Sequence, residues 1–128
     1  MADKQKNNDF TFIAAMRCAI KGVYFASKER NFSIDIVFAI ITTVLGFICQ
    51  ISAVEWMVVI VCFGLVLGGE TLNTALEAIV DMVSPEYHKL AGMAKDCAAG
   101  AVLLFAIASF VVGCIIFIPK LLALLFGA

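Results

Sequence analysis

Glu70, Asn73, Glu77 and Asp81 recur at intervals of three and four residues in the stretch GGETLNTALEAIVD. At about 100° per residue, Glu77 and Asp81 fall roughly 20° to either side of Glu70, with Asn73 about 60° away. All four therefore share one helix face, with Thr74 beside it, while Leu72, Leu76, Ile79 and Val80 occupy the other sides. Two acids on one stripe repel each other, so a cation is their natural partner. Hard oxygen ligands at this spacing suit Mg²⁺, which takes one or two carboxylates and completes its shell with phosphate oxygens and water. Lys95-Asp96 adds a complement, since a lysine at the mouth of a membrane can reach phosphates.

The stripe leaves an uncharged apolar run, Trp56 to Gly69, that has the character of a membrane span. Glu70 lies fourteen residues past Trp56, or ~21 Å along a helix. In a hydrocarbon core of ~30 Å that is a few ångströms below the far interface. Glu77 is ~10 Å further on, near the headgroups, and Asp81 lies beyond it. A carboxylate at such depth is costly unless partnered, which marks it as functional.

The elements that must position these groups follow from composition and periodicity. The chain is 63% hydrophobic and only 15% charged, with a mean hydropathy of +1.06, which places it outside the soluble globular range. Its 128 residues are about one domain's worth, and no repeat or second domain is visible. Over residues 10–30 Ile13, Met16, Ile20 and Tyr24 recur at helical spacing beside Arg17, Lys21 and Lys28, predicting a basic amphipathic helix in the membrane interface. Apolar segments then predict helices over 33–51, 54–83 and 86–118, each carrying a membrane span. Ser84-Pro85 is read as a break and a new N-cap, and Pro119-Lys120 as the stop of the last span. The expected fold is an all-α membrane protein, one interfacial helix plus three transmembrane helices.

Six of the nine basic residues (Lys4, Lys6, Arg17, Lys21, Lys28 and Arg30) precede the first span, and Lys89 and Lys95 fall in or near the second connection. The positive-inside rule puts the N-terminus and that connection in the cytoplasm, with residues 50–55 and the C-terminus outside. A cleavable signal peptide is not expected, because a long polar and amphipathic stretch precedes the first apolar run. Cys18, Cys49, Cys62, Cys97 and Cys114 show no CxxC or His/Cys cluster and read as small hydrophobes. Gly64 and Gly68 form a GxxxG, read as plain helix packing. His88 lacks partners of metal-site spacing and reads as a solvated loop residue. There is no GxxxxGK[ST] loop, no kinase HRD or DFG set and no GxSxG. No nucleic-acid partner is expected, since the membrane surface accounts for the basic residues.

Position for position, Glu70 to Asp81 resembles E-x-[LIVM]-N-[ST]-[SA]-[LIV]-E-x-x-V-D, the signature of the small bacterial diacylglycerol kinase and undecaprenol kinase family. Tyr87-His88, Ala94-Lys95-Asp96 and the small-residue run that follows are also similar to that family. The resemblance implies a homotrimeric lipid kinase of the bacterial cytoplasmic membrane, with composite sites between subunits, moving the γ-phosphoryl of ATP onto a lipid hydroxyl. It implies Glu70 as general base, Glu77 as magnesium ligand, and Asn73, Lys95 and Asp96 as groups that orient the base and bind nucleotide phosphate. The diacylglycerol kinase branch carries a glutamate within its interfacial helix, whereas residues 10–28 here contain no acid. Glu29, in Glu29-Arg30-Asn31, resembles the E-R-N of the branch common in Gram-positive bacteria, and is carried over as a metal and nucleotide residue. Glu55-Trp56 and Phe117-Ile118-Pro119-Lys120 also resemble that branch, whose acceptor is undecaprenol. Diacylglycerol is the alternative acceptor, and a non-enzymatic membrane subunit or cation-conducting oligomer is the remaining reading.

Overall fold

The computed structural model describes residues 12–127, and over these the chain is a succession of four helices without a β-strand. Residues 1–11, including the first two positions of the expected amphipathic helix, lie outside the described residues. The helices are α1 (Phe12–Ala26), α2 (Arg30–Ile48), α3 (Ala53–Val83) and α4 (Lys89–Phe126). The last three are each long and apolar enough to cross a membrane. α3 is the organising element, packing most extensively on α4 and also against α2 and α1.

Local chemistry explains where the helices turn. α1 stops in a tight corner in which Glu29 N–H donates to Ala26 carbonyl at 3.0 Å, with Ala26 and Phe32 both buried. α2 ends in a Schellman closure, Ile51 N–H to Gly46 carbonyl at 3.1 Å and Gln50 N–H to Phe47 carbonyl at 3.3 Å. The left-handed position falls on Gln50 (φ 48°) rather than on a glycine. Gly46 is used one turn earlier, where a Cβ would sit 2.6 Å from the Trp56 ring. α3 then starts with a reciprocal capping box. Glu55 N–H donates to Ser52 Oγ at 3.3 Å, and Ser52 N–H donates to a Glu55 carboxylate oxygen at 2.6 Å. Across this end of the bundle, Ile51, Val59, Ile116 and Phe117 form the buried core cluster.

Two expected boundaries are corrected. Ser84 closes α3 at its C-terminus and does not open the next helix. The N-cap of α4 is His88, whose Nδ1 accepts from Leu90 N–H at 3.2 Å, so this histidine is a cap and not an idle loop residue. Pro119 does not stop α4, which runs on to Phe126. The proline removes one backbone donor, but the chain is held on both sides of it. Ile116 and Phe117 are buried in the core cluster, and Lys120 pairs with Glu55 at 3.3 Å. The GxxxG reading is likewise revised. Gly64 and Gly68 have no atom of a neighbouring element within 4 Å of a built Cβ, whereas Gly69 meets Phe105 of α4 at 2.8 Å. The close approach of α3 and α4 is set by Gly69, directly before Glu70.

Candidate active site

Glu70 and Asn73 are the buried polar residues among those described, 5% and 8% exposed respectively. Both lie on α3 just beyond the Gly69–Phe105 contact. Asn73 Nδ2 donates to Glu77 Oε1 at 2.8 Å, one turn along the helix. Asn73 Oδ1 is buried without a hydrogen-bond partner. Around them Thr71 and Thr74 return their hydroxyls to the helix, donating to the carbonyls of Leu67 (2.8 Å) and Glu70 (2.9 Å). The donors of these hydroxyls are thus already used, and Asn73 Oδ1 is the buried acceptor of this face left without a donor.

Two further elements bring charge to the stripe. Glu29 caps α2 through its backbone conformation and makes no side-chain capping bond, so its carboxylate is not committed to the helix end. Glu29, Asp35 and Glu77 all lie within electrostatic reach of Glu70. Lys95, on the second turn of α4, crosses to α3 and forms an ion pair with Asp81 at 2.5 Å. Asp96 is exposed on the adjoining position. Glu70, Asn73, Glu77, Asp81 and Lys95 are therefore linked by α3 and its contact with α4, and Glu29 approaches from the α1–α2 corner.

Asp35, which the sequence analysis did not single out, borders the same region. Its Oδ2 is buried without a partner, although it sits more than a turn inside α2. The available signal was the lone acid of an apolar helix whose other charge is Arg30 at its start. Asp35 lines one end of a cavity of about 580 Å³ between α2, α3 and α4, alongside Leu67, one turn before Glu70. The cavity continues past Phe63 and Ser109 to Phe117 and is otherwise overwhelmingly apolar. From Asp35 to Leu45, both in its wall, it follows α2 for ~15 Å.

Among the described residues no trio of His, Cys, Asp and Glu is close enough to cage a metal ion. The donor set fits a different arrangement. Glu77 and Glu29 are carboxylates, Asn73 Oδ1 is an unpartnered oxygen, and a nucleotide-borne Mg²⁺ needs only one or two protein carboxylates beside its phosphates and waters.

A family model described as prokaryotic diacylglycerol kinase matches residues 17–117, which spans every one of these site residues. The chain is 37% identical over 123 residues to an undecaprenol kinase of Bacillus subtilis (strain 168), covering 94% of this chain and 100% of that protein. It is 41% identical over 115 residues to a diacylglycerol kinase of Synechocystis sp., covering 88% of this chain and 66% of that protein. With a diacylglycerol kinase of Escherichia coli (strain K12) it shares 34% identity over 89 residues, 70% of this chain and 73% of that protein. An acid stripe on an apolar helix, buried at Glu70 and Asn73, and a family match running through it have one meaning together: the chain belongs to the prokaryotic diacylglycerol kinase family of lipid kinases.

Proposed function

We propose that this chain transfers the γ-phosphoryl of ATP to the hydroxyl of undecaprenol, giving undecaprenyl phosphate and ADP. The observation that carries the reading is the placement of Glu70. It is a carboxylate withdrawn from solvent, one turn past Leu67 at the Asp35 end of an apolar cavity. An acyl or prenyl segment lying along that cavity would bring a terminal hydroxyl toward Glu70.

Glu70 accepts the hydroxyl proton as the lipid oxygen attacks the γ-phosphorus. One P–O bond forms, the bond to the β–γ bridging oxygen breaks, and ADP leaves with the displaced charge. Glu77 and Glu29 would hold Mg²⁺, which supplies neutralisation of charge on the phosphates. Asn73 fixes Glu77 by the 2.8 Å hydrogen bond, Lys95 contacts phosphate as a point charge, and Asp96 contributes to nucleotide binding. Phosphoryl transfer asks chiefly for positioning and charge stabilisation, which matches a site without a nucleophile of its own.

The distribution of lysine and arginine supports a cytoplasmic N-terminus and a cytoplasmic residue 84–88 connection, the side on which ATP is found. A homotrimer with sites shared between copies is supported by the family resemblance. Diacylglycerol is a second acceptor, favoured by the 41% identity to the Synechocystis diacylglycerol kinase.

The test is ATP-dependent phosphorylation in parallel micelles containing undecaprenol or diacylglycerol, with Mg²⁺ and then with EDTA. Strong, EDTA-sensitive preference for undecaprenol is expected. Preference for diacylglycerol would transfer the assignment to the second acceptor, and turnover indifferent to EDTA would remove the metal roles of Glu29 and Glu77.

A further inference from the structure

We propose that Asp81 is a positioning residue for Lys95, holding its ammonium one helical turn from Glu77 so that nucleotide phosphate meets a pre-placed charge. The inference rests on the nucleotide-binding reading of Lys95 and adds a role for Asp81. Three observations carry it. The pair joins α3 to α4 across fourteen residues of sequence, with Lys95 Nζ 2.5 Å from Asp81 Oδ1. Asp81 lies on the Glu70–Glu77 stripe, four residues past Glu77, or ~6 Å along the axis. Both partners stay open to solvent, with side chains 36% (Lys95) and 67% (Asp81) exposed.

Openness decides between two meanings of such a pair. An exposed ion pair contributes little to holding helices together. It does restrict the long, freely rotating lysine stem, whose ordering otherwise falls on the binding step. An ammonium has three donors, so one given to Asp81 leaves two for phosphate oxygens. Asp81 thus orients Lys95 without consuming it. The neighbouring Asp96 cannot substitute, because adjacent residues on a helix do not face each other.

The experiment measures affinity for a non-hydrolysable ATP analogue with Mg²⁺, by calorimetry on full-length protein in detergent micelles. The variants are Asp81→Ala, Asp81→Asn, Lys95→Met and the Asp81→Ala/Lys95→Met double. Asp81→Ala is expected to weaken binding about fivefold, the scale of coupling in an exposed charge pair. Asp81→Asn should lose less, since its amide oxygen still accepts from the ammonium, and it serves in place of the alanine variant if that one folds poorly. The double variant should bind no more weakly than Lys95→Met, because the effect of Asp81 passes through Lys95. KM for the lipid acceptor should not move, as it would if Asp81 merely held the helices together. Unchanged or tighter binding in Asp81→Ala and Asp81→Asn, or losses that multiply in the double variant, would overturn the proposal. Unchanged binding in Lys95→Met would instead strike the nucleotide reading of Lys95 itself, and the role of Asp81 with it.

Discussion

Asn73 Nδ2 donates to Glu77 Oε1 at 2.8 Å while the other end of the same amide, Oδ1, is buried with no donor. One side chain thus fixes a carboxylate and offers an unsatisfied oxygen beside it. Within a helix, i and i+4 side chains meet readily, but a buried acceptor left unpaired is uncommon and points to something that arrives with positive charge.

Asn73→Ala should therefore weaken Mg²⁺ dependence more than it weakens the fold. About 1–3 kcal/mol rides on a buried hydrogen bond to a charged group, or roughly five- to 150-fold in affinity. Titrating turnover against Mg²⁺ checks this: the midpoint should rise, and the lipid KM should stay within about twofold. An unchanged midpoint would separate Asn73 from the metal.

Glu70→Gln keeps the shape of the buried side chain and removes the base. Loss of a general base costs at least ~10²-fold in turnover. Binding of an ATP analogue should be nearly preserved, because Glu70 is assigned to the lipid hydroxyl. Full turnover with either lipid would end the base assignment.

Gly69→Ala tests the close contact of α3 with α4 directly before Glu70. An added Cβ would lie 2.8 Å from the Phe105 ring, and overpacking of this kind costs about 1–3 kcal/mol. Thermal unfolding in detergent should show a lowered Tm, and shortening the neighbour with Phe105→Leu should recover part of it. Gly64→Ala and Gly68→Ala meet open space within the chain and should leave the fold of the single chain unstrained.

Glu55→Ala removes the carboxylate half of the α3 capping box and the 3.3 Å pair with Lys120, while Ser52 Oγ still accepts from the backbone N–H of residue 55. The lost hydrogen bond to a carboxylate costs about 1 kcal/mol and the part-exposed pair less than that. Glu55→Ala should consequently lower Tm more than Lys120→Ala does. Specific activity of the folded fraction should hold, since this end of the bundle lies opposite the stripe.

Much of the site was legible because its logic is local. Four polar residues at spacings of three and four must share a face of any helix they form, whatever surrounds it. The three apolar segments are likewise written in neighbouring positions. Pro119 shows the limit of that logic. As punctuation it reads as a stop, yet burial of Ile116 and Phe117 on one side and the Lys120–Glu55 pair on the other carry α4 through it.

The sequence by itself determined that this is a helical membrane protein with an acid stripe near one interface, since hydropathy and period need no partner to be read. Only the tertiary structure decided which neighbours meet that stripe. Asp35 turning inward, Lys95 reaching Asp81 and Gly69 rather than Gly64 or Gly68 admitting the neighbouring helix all depend on how α2 and α4 are rotated against α3. In a soluble helix the apolar face announces that rotation. In helices apolar on nearly every side it is left to close packing, and packing is a property of pairs of helices that one strand of text does not contain.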